Sequence, residues 1–125
     1  MKKIVVFDLR GTLVTKGGEW VDGAQEAIKL VGDWQTEAIL YSMNEAWTYQ
    51  TLSRYADVFE DFNEILLVDK KRPSDLFTLG TNDVLVVGDS DTEELAFGKR
   101  LGYRTVKITG EVLLDEIKQF LGEKR

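Results

Sequence analysis

Four short apolar runs, Ile4–Phe7, Ala38–Tyr41, Ile65–Val68 and Val84–Val87, recur along the chain, and each gives way within two residues to a polar side chain: Asp8, Ser42, Asp69 and Asp89. None alternates apolar with polar residues. Each therefore predicts a strand covered on both faces, the pattern of a parallel sheet with helices above and below.

The segments between the runs read as helices. Asp22 with Gln25 three residues later resembles a capping box opening a helix through Val31, with Gly32 as its stop. Asn44 is placed to cap a helix whose apolar face is Leu52, Tyr55, Ala56 and Phe59. Pro73 suits the first turn of a short helix ending near Gly80. A fourth helix carries Glu93 and Glu94 in its first turn and Lys99 and Arg100 in its last, as the helix dipole favours. A strand over Tyr103–Ile108 and a helix over Glu111–Leu121, with Leu114, Ile117 and Leu121 on one face, complete the chain. Five strands alternating with five helices require right-handed crossovers, hence an α/β three-layer sandwich around a five-stranded parallel sheet. The 125 residues make one domain, 1–125. The connections are too short for an inserted cap domain. The polar stretch from Thr12 to Val21, with Gly17 and Gly18, reads as a loop or small hairpin that could act as a flap.

Composition narrows the chemistry. The net charge is −6, which argues against nucleic acid and anionic membrane as partners. The four apolar residues before Asp8 are too few for a signal peptide or membrane span, so the expected location is cytoplasmic. The chain has no cysteine and no histidine, so acid–base work falls to Asp, Glu, Lys or Tyr and a zinc site is a poor fit. In a parallel sheet the strand ends converge, bringing Asp8, Ser42 and Asp89 together with Lys71 or Arg72. Two carboxylates, a hydroxyl and a cation suit magnesium together with a phosphate group.

At these residues the chain resembles the haloacid dehalogenase (HAD) superfamily of hydrolases. Its first motif, D-x-D-x-T, is matched by Asp8-Leu9-Arg10-Gly11-Thr12. Ser42 is similar to the second motif, Lys71-Arg72-Pro73 to the third, and Gly88-Asp89-Ser90-Asp91-Thr92-Glu93 to the fourth. The resemblance implies a small capless, HAD-like Rossmannoid phosphatase using Mg2+ and a phosphorylated substrate. Asp8 would be the nucleophile, and Ser42 with Lys71 would hold phosphate oxygens, Arg72 being the rival for the cation. Asp89 would bind the metal, the backbone carbonyl of Arg10 would also ligate it, and Glu93 would support it. Open sites of this kind either take large substrates or borrow cover from a neighbouring subunit, so a homo-oligomer is compatible.

The departure is Arg10, which stands where such phosphatases carry the Asp that protonates the leaving group. A guanidinium is permanently protonated and does neither acid nor base work. It is a fork for phosphate or carboxylate, or a solvated side chain in a degenerate site, and beside a metal it should point away or be neutralised by Asp89, Asp91 or Glu93. The second functional reading is a catalytically degenerate phosphate-binding domain, or a receiver-like module phosphorylated on Asp69.

Overall fold

The computed structural model describes residues 3–34, 36–79, 83–108 and 112–122. Five parallel strands, β1 (Ile4–Phe7), β2 (Glu37–Met43), β3 (Glu64–Val68), β4 (Val84–Gly88) and β5 (Arg104–Lys107), form one sheet in the order β3-β2-β1-β4-β5. The helices are α1 (Ala24–Asp33), α2 (Ala46–Arg54), α3 (Ala56–Phe59), α4 (Glu94–Arg100) and α5 (Val112–Gly122), with a 3-10 helix over Pro73–Leu79. The α/β three-layer expectation holds.

β1 shows why an apolar run without alternation was needed. Val5 and Phe7 enter one core with Ala27, Ile28, Val31, Phe59, Ile117 and Phe120, so α1, α3 and α5 cover that face. Ile4 and Val6 enter the other with Tyr41, Leu76, Val86 and Leu95, under the 3-10 helix and α4. At the opposite end from Asp8, the buried ammonium of Lys3 donates to the carbonyl of Phe120 in the last turn of α5, 2.5 Å away, and lies over the Phe120 ring. A cation satisfying the carbonyl end of a helix is favoured by the helix dipole.

Several local expectations change. The N-cap of α1 is Gly23, at φ +83°, and no side chain caps it. The chain arrives from a hairpin in which Val21 N–H donates to Leu13, and the turn into α1 requires a left-handed residue, which glycine accommodates and Asp22 does not. The helix also runs past Gly32 to Asp33. Asn44 does not cap α2: its side chain donates to Asp69 at 3.0 Å and accepts from Tyr49 at 2.5 Å. The single predicted helix after it breaks at Tyr55, whose φ of −119° separates α2 from α3. The predicted stop at Gly80 and start at Glu111 lie outside the described residues.

The sheet order also decides where a site can form. From β1 the chain steps outward through β2 to β3, then crosses back to β4 on the other side of β1. The C-terminal ends of β1 and β4 thus flank the point where the winding reverses, the place where open α/β sheets leave a crevice. Asp8 and Asp89 follow those two strands directly, with Asp8 N–H donating to Val87.

Candidate active site

Immediately after β1 the backbone makes one tight turn in which the N–H groups of Thr12, Leu13 and Val14 all point at the carbonyl of Leu9. The turn brings the Thr12 hydroxyl back to donate to Asp8 Oδ2 at 3.2 Å. Gly11 sits inside it at φ +83°, and a β-carbon there would fall 2.2 Å from Asp89 Oδ2. Glycine is needed for both reasons: a left-handed backbone and contact with a carboxylate. Gly11→Ala is therefore expected to displace Asp89, lowering stability by about 1–3 kcal/mol and weakening any divalent-cation response in a thermal-shift titration.

Asp8 is buried, and its other oxygen, Oδ1, accepts from Lys71 Nζ at 2.6 Å. The same ammonium donates to Glu94 Oε1 at 2.8 Å, so one cation with a 3% exposed side chain joins two carboxylates that are 9% and 1% exposed. Ligand atoms of Asp8, Asp89 and Glu94 lie within 4.8 Å of one another. Three carboxylates around one ammonium leave the cluster anionic. Burial drives the Asp8 carboxyl far above the ordinary carboxylate range, to about 7; Lys71 opposes this, and Glu94 reinforces it. Asp8 and Glu94 in turn hold Lys71 above its usual value in spite of its burial, so the ammonium stays charged.

Lys71, not Arg72, is the cation that enters. The backbone N–H of Arg72 donates to Asp75 at 2.8 Å and to the Tyr41 hydroxyl at 3.2 Å, and Tyr41 donates to Asp75 at 2.5 Å. Burial, and then Asp75, push the Tyr41 phenol well above its usual value, which keeps it a neutral donor. These bonds tie the start of the 3-10 helix to β2, leaving Arg72 exposed and Lys71 inward, 4.9 Å above the Tyr41 ring.

The acid brought to the cluster is Glu94, where Glu93 was expected. Glu93 is the exposed N-cap of α4, whereas Glu94 accepts from the N–H of Ser90 at 2.7 Å. Space for it comes from Gly88, where a β-carbon would lie 2.5 Å from Glu94 Cγ. The sequence carried a signal for this. Residues four apart share a helix face, and Glu94 lies four before Gly98, whose missing β-carbon lets α4 approach Val86 and Thr105 closely. The small residue marks the face that meets the sheet, and hence which glutamate points inward.

Ser42 is buried on β2, beside β1, two residues past the pair Phe7–Leu40. Its hydroxyl lies 3.5 Å from that of Thr48 and makes no hydrogen bond to Asp8 or Lys71 among the described residues. Arg10 points away from the carboxylates: its guanidinium is 3.4 Å from Glu45 and stacks 5.0 Å above the Trp47 ring. The neutralising partner is thus Glu45, none of the three acids expected. Asp91 is exposed and pairs with Lys107 at 2.6 Å.

The stretch after the turn is a small hairpin closed by the antiparallel bridge Val14–Trp20. It is fastened to α2 and its C-cap: Trp47 donates to Lys16 at 3.3 Å and Tyr55 to Gly18 at 2.6 Å. Trp20 is half-buried, stacking on Phe59 and tilting against Tyr55 at the edge of the core. A separate groove of about 510 Å3, lined by Leu52, Ala56, Phe59 and Ile65 among others, includes none of the site residues.

Three hard oxygen donors with uncompensated negative charge, and no sulfur or imidazole, fit a divalent cation such as magnesium. No family model matches the chain, and no curated protein matches its sequence. Solved structures do. A hydrolase from Streptococcus pneumoniae TIGR4 superposes with a TM-score of 0.77 at 14% identity, over 95% of this chain and 100% of that one. The D,D-heptose 1,7-bisphosphate phosphatase from B. bronchiseptica, complexed with magnesium and phosphate, superposes at 0.68 with 13% identity, over 95% and 98%. A protein described as the HAD-hydrolase YfnB from Bacillus subtilis, bound to magnesium, gives 0.61 at 17% identity, over 85% of this chain and 57% of that one. No helix among the described residues is long and apolar enough to cross a membrane. The five parallel strands in this order give the chain the α/β fold of these hydrolase and phosphatase structures.

Proposed function

We propose that the chain is a magnesium-dependent phosphatase-type hydrolase that takes a phosphoryl group onto Asp8. The observation that carries this reading is the placement of Asp8: buried at the reversal point of the sheet, gripped by Lys71 and Thr12, and within 4.8 Å of Asp89 and Glu94. The likeness of the fold to a phosphatase that binds magnesium and phosphate supports it. Asp8, Asp89 and Glu94 would hold the cation, with the carbonyl of Arg10 as a further ligand. The cation would supply positive charge for phosphoryl oxygens and offset the mutual repulsion of the carboxylates.

The chain's own residues do the rest. An oxygen of Asp8 attacks phosphorus, which divides one difficult displacement into two easier ones. Lys71 orients that carboxylate and, with Ser42, offers donors to the transferred group. Most of the rate then comes from positioning and charge. Arg10 supplies no proton, and its guanidinium is turned toward Glu45.

In a magnesium-dependent assay with an aryl phosphate, the wild type should be slow, Asp8→Asn inactive, and Arg10→Asp faster. Hydrolysis surviving in Asp8→Asn would sink the assignment. The receiver-like alternative meets a topological obstacle. Receivers have the strand order 2-1-3-4-5, with the third strand beside the first, whereas here β3 is an edge strand separated from β1 by β2. Asp69 is exposed and engaged by Asn44. Labelling with beryllofluoride should accordingly map to Asp8.

A further inference from the structure

We infer that the chain forms a twofold dimer in which β3 of one copy lies antiparallel against β3 of another, joining the two sheets into one. The pairing does not depend on the chemistry assigned to Asp8. It follows from the contrast between the two edges of the sheet, the groove beside β3, and the order of residues along that strand.

The sheet ends on β3 at one side and on β5 at the other. An open edge strand is a template for another strand, and chains that stay single blunt it with charge, lysine above all. β5 is blunted in this way, because it begins at Arg104 and ends at Lys107, both exposed. β3 carries one charged residue, Glu64 at its start, and continues as Ile65, Leu66, Leu67 and Val68. Ile65 is 41% exposed. Among the described residues β3 pairs with β2 alone.

The apolar surface continues past the strand. The groove of about 510 Å3 borders Ile65 and is lined by Leu52, Ala56, Phe59 and Phe62. Exposed apolar surface that is contiguous in this way marks an interaction face. Side chains alternate along a strand, so Leu67 shares the face of Ile65, whereas Leu66 and Val68 pack against the core on the other face.

The occupant is a second copy because the strand is complementary to itself. In the antiparallel register that pairs all five residues, Leu66 meets Leu66 on the twofold axis, Ile65 meets Leu67, and Glu64 meets Val68. Two Ile65–Leu67 pairs then lie on the groove face, where cross-strand apolar pairs stabilise a sheet. Just beyond the strand, Lys70 falls opposite Phe62 of the other copy and diagonal to its Glu64, within reach of a long side chain. Glu60 and Asp61 extend the acidic end, and all four charged residues are exposed. Antiparallel pairing thus sets the acidic start of the strand against its basic end, whereas parallel pairing would set glutamate against glutamate. Asp69, the acid beside Lys70, is engaged by Asn44 at 3.0 Å.

An interface made by the same patch on both copies closes on itself, and the charged β5 edges are left outermost. Because the strands run oppositely across the axis, the C-terminal ends of the two sheets point in opposite directions. The second copy therefore lays no cover over Asp8.

The chain has no cysteine, so a single introduced one reports its own neighbour. Opposed residues of an antiparallel pair have α-carbons about 4.5–5.5 Å apart, inside the roughly 4.4–6.8 Å that a disulfide spans. Leu66→Cys should therefore oxidise to a covalent dimer far faster than Tyr49→Cys, placed at a residue that is 54% exposed on α2. Sedimentation over a dilution series should show the wild type as a dimer and Ile65→Lys as a monomer. Lys70→Glu and Glu64→Lys should each weaken association about tenfold, since each sets like charges across the axis twice. The two exchanges in one chain should restore it. Thermal melts confirm that each variant is folded, and the two charge variants, at exposed positions, keep the test open if Ile65→Lys is not. A wild type that is monomeric at every concentration overturns the inference. So does a dimer that Ile65→Lys and Lys70→Glu leave intact, or Leu66→Cys crosslinking no faster than Tyr49→Cys, because the copies then meet elsewhere. A paired exchange that fails to restore association overturns the register that defines the interface.

Discussion

Lys71→Met should lower the folding stability by about 3–5 kcal/mol, the usual result of removing one partner from a buried ion pair and leaving the other charge stranded. Two charges are stranded here, because Lys71 bridges Asp8 and Glu94, and Glu94 is almost completely buried. The methionine is close to lysine in size, so the loss reflects charge and not a cavity. A urea titration would show the effect as a drop in midpoint at unchanged slope. Repeating the substitution in an Asp8→Asn background isolates the cause. With one fewer carboxylate to neutralise, the penalty should fall by about half, the coupling expected of residues in one ion-pair network. An undiminished penalty would mean that packing of the lysine stem, and not its charge, is what matters.

Asp8→Asn should abolish phosphate hydrolysis and at the same time make the metal-free protein more stable, by about 1–3 kcal/mol at pH 8. The site concentrates three carboxylates around one ammonium, and an amide removes one of the charges while keeping an oxygen for Lys71. The pH dependence follows from the same arrangement. Asp8 titrates near 7 in the folded state, against an ordinary value of 3.8. Between those values the folded chain binds a proton that the unfolded chain does not, so stability falls as pH rises from about 4 to about 7. Below that window the group is neutral in both states and its penalty vanishes; above it the full penalty remains. Thermal melts of the metal-free wild type at pH 5.5 and pH 8 should differ by several degrees in favour of the lower pH, and this component should be missing in Asp8→Asn. Magnesium should stabilise the wild type more than the variant, because a ligand that binds only the folded state adds to its stability.

The layered sheet was legible because Ile4–Phe7, Ala38–Tyr41 and Val84–Val87 have no polar alternation, and a strand must then be covered on both faces. Asp8 and Asp89 were legible for the same reason, since an acid that follows such a run sits at the open end of the sheet. Choices between neighbours were not. Lys71 and Arg72 are adjacent cations, and what separates them is the anchoring of Arg72 N–H by Asp75 and Tyr41, residues that meet only when the third strand has been laid beside the second. Glu93 and Glu94 are adjacent acids, and the difference is a rotation of about 100° around the helix, set by how closely Gly98 lets α4 approach the sheet. The partner of Arg10 was missed because Glu45 is 35 residues away and reaches it across the mouth of the site.

By itself the sequence determined the class of fold, the strand ends that carry acids, and the absence of a proton donor two residues after Asp8. These depend on residue type and on periodicity along the chain, which are local properties. Only the tertiary structure decided the strand order, the entry of Lys71 and Glu94, and the outward turn of Arg10 onto Glu45 and Trp47. Each of these is a competition between near neighbours for one buried position, and it is resolved by contacts between segments far apart in the chain, where the desolvation of a charge is offset only if its partner is already in place.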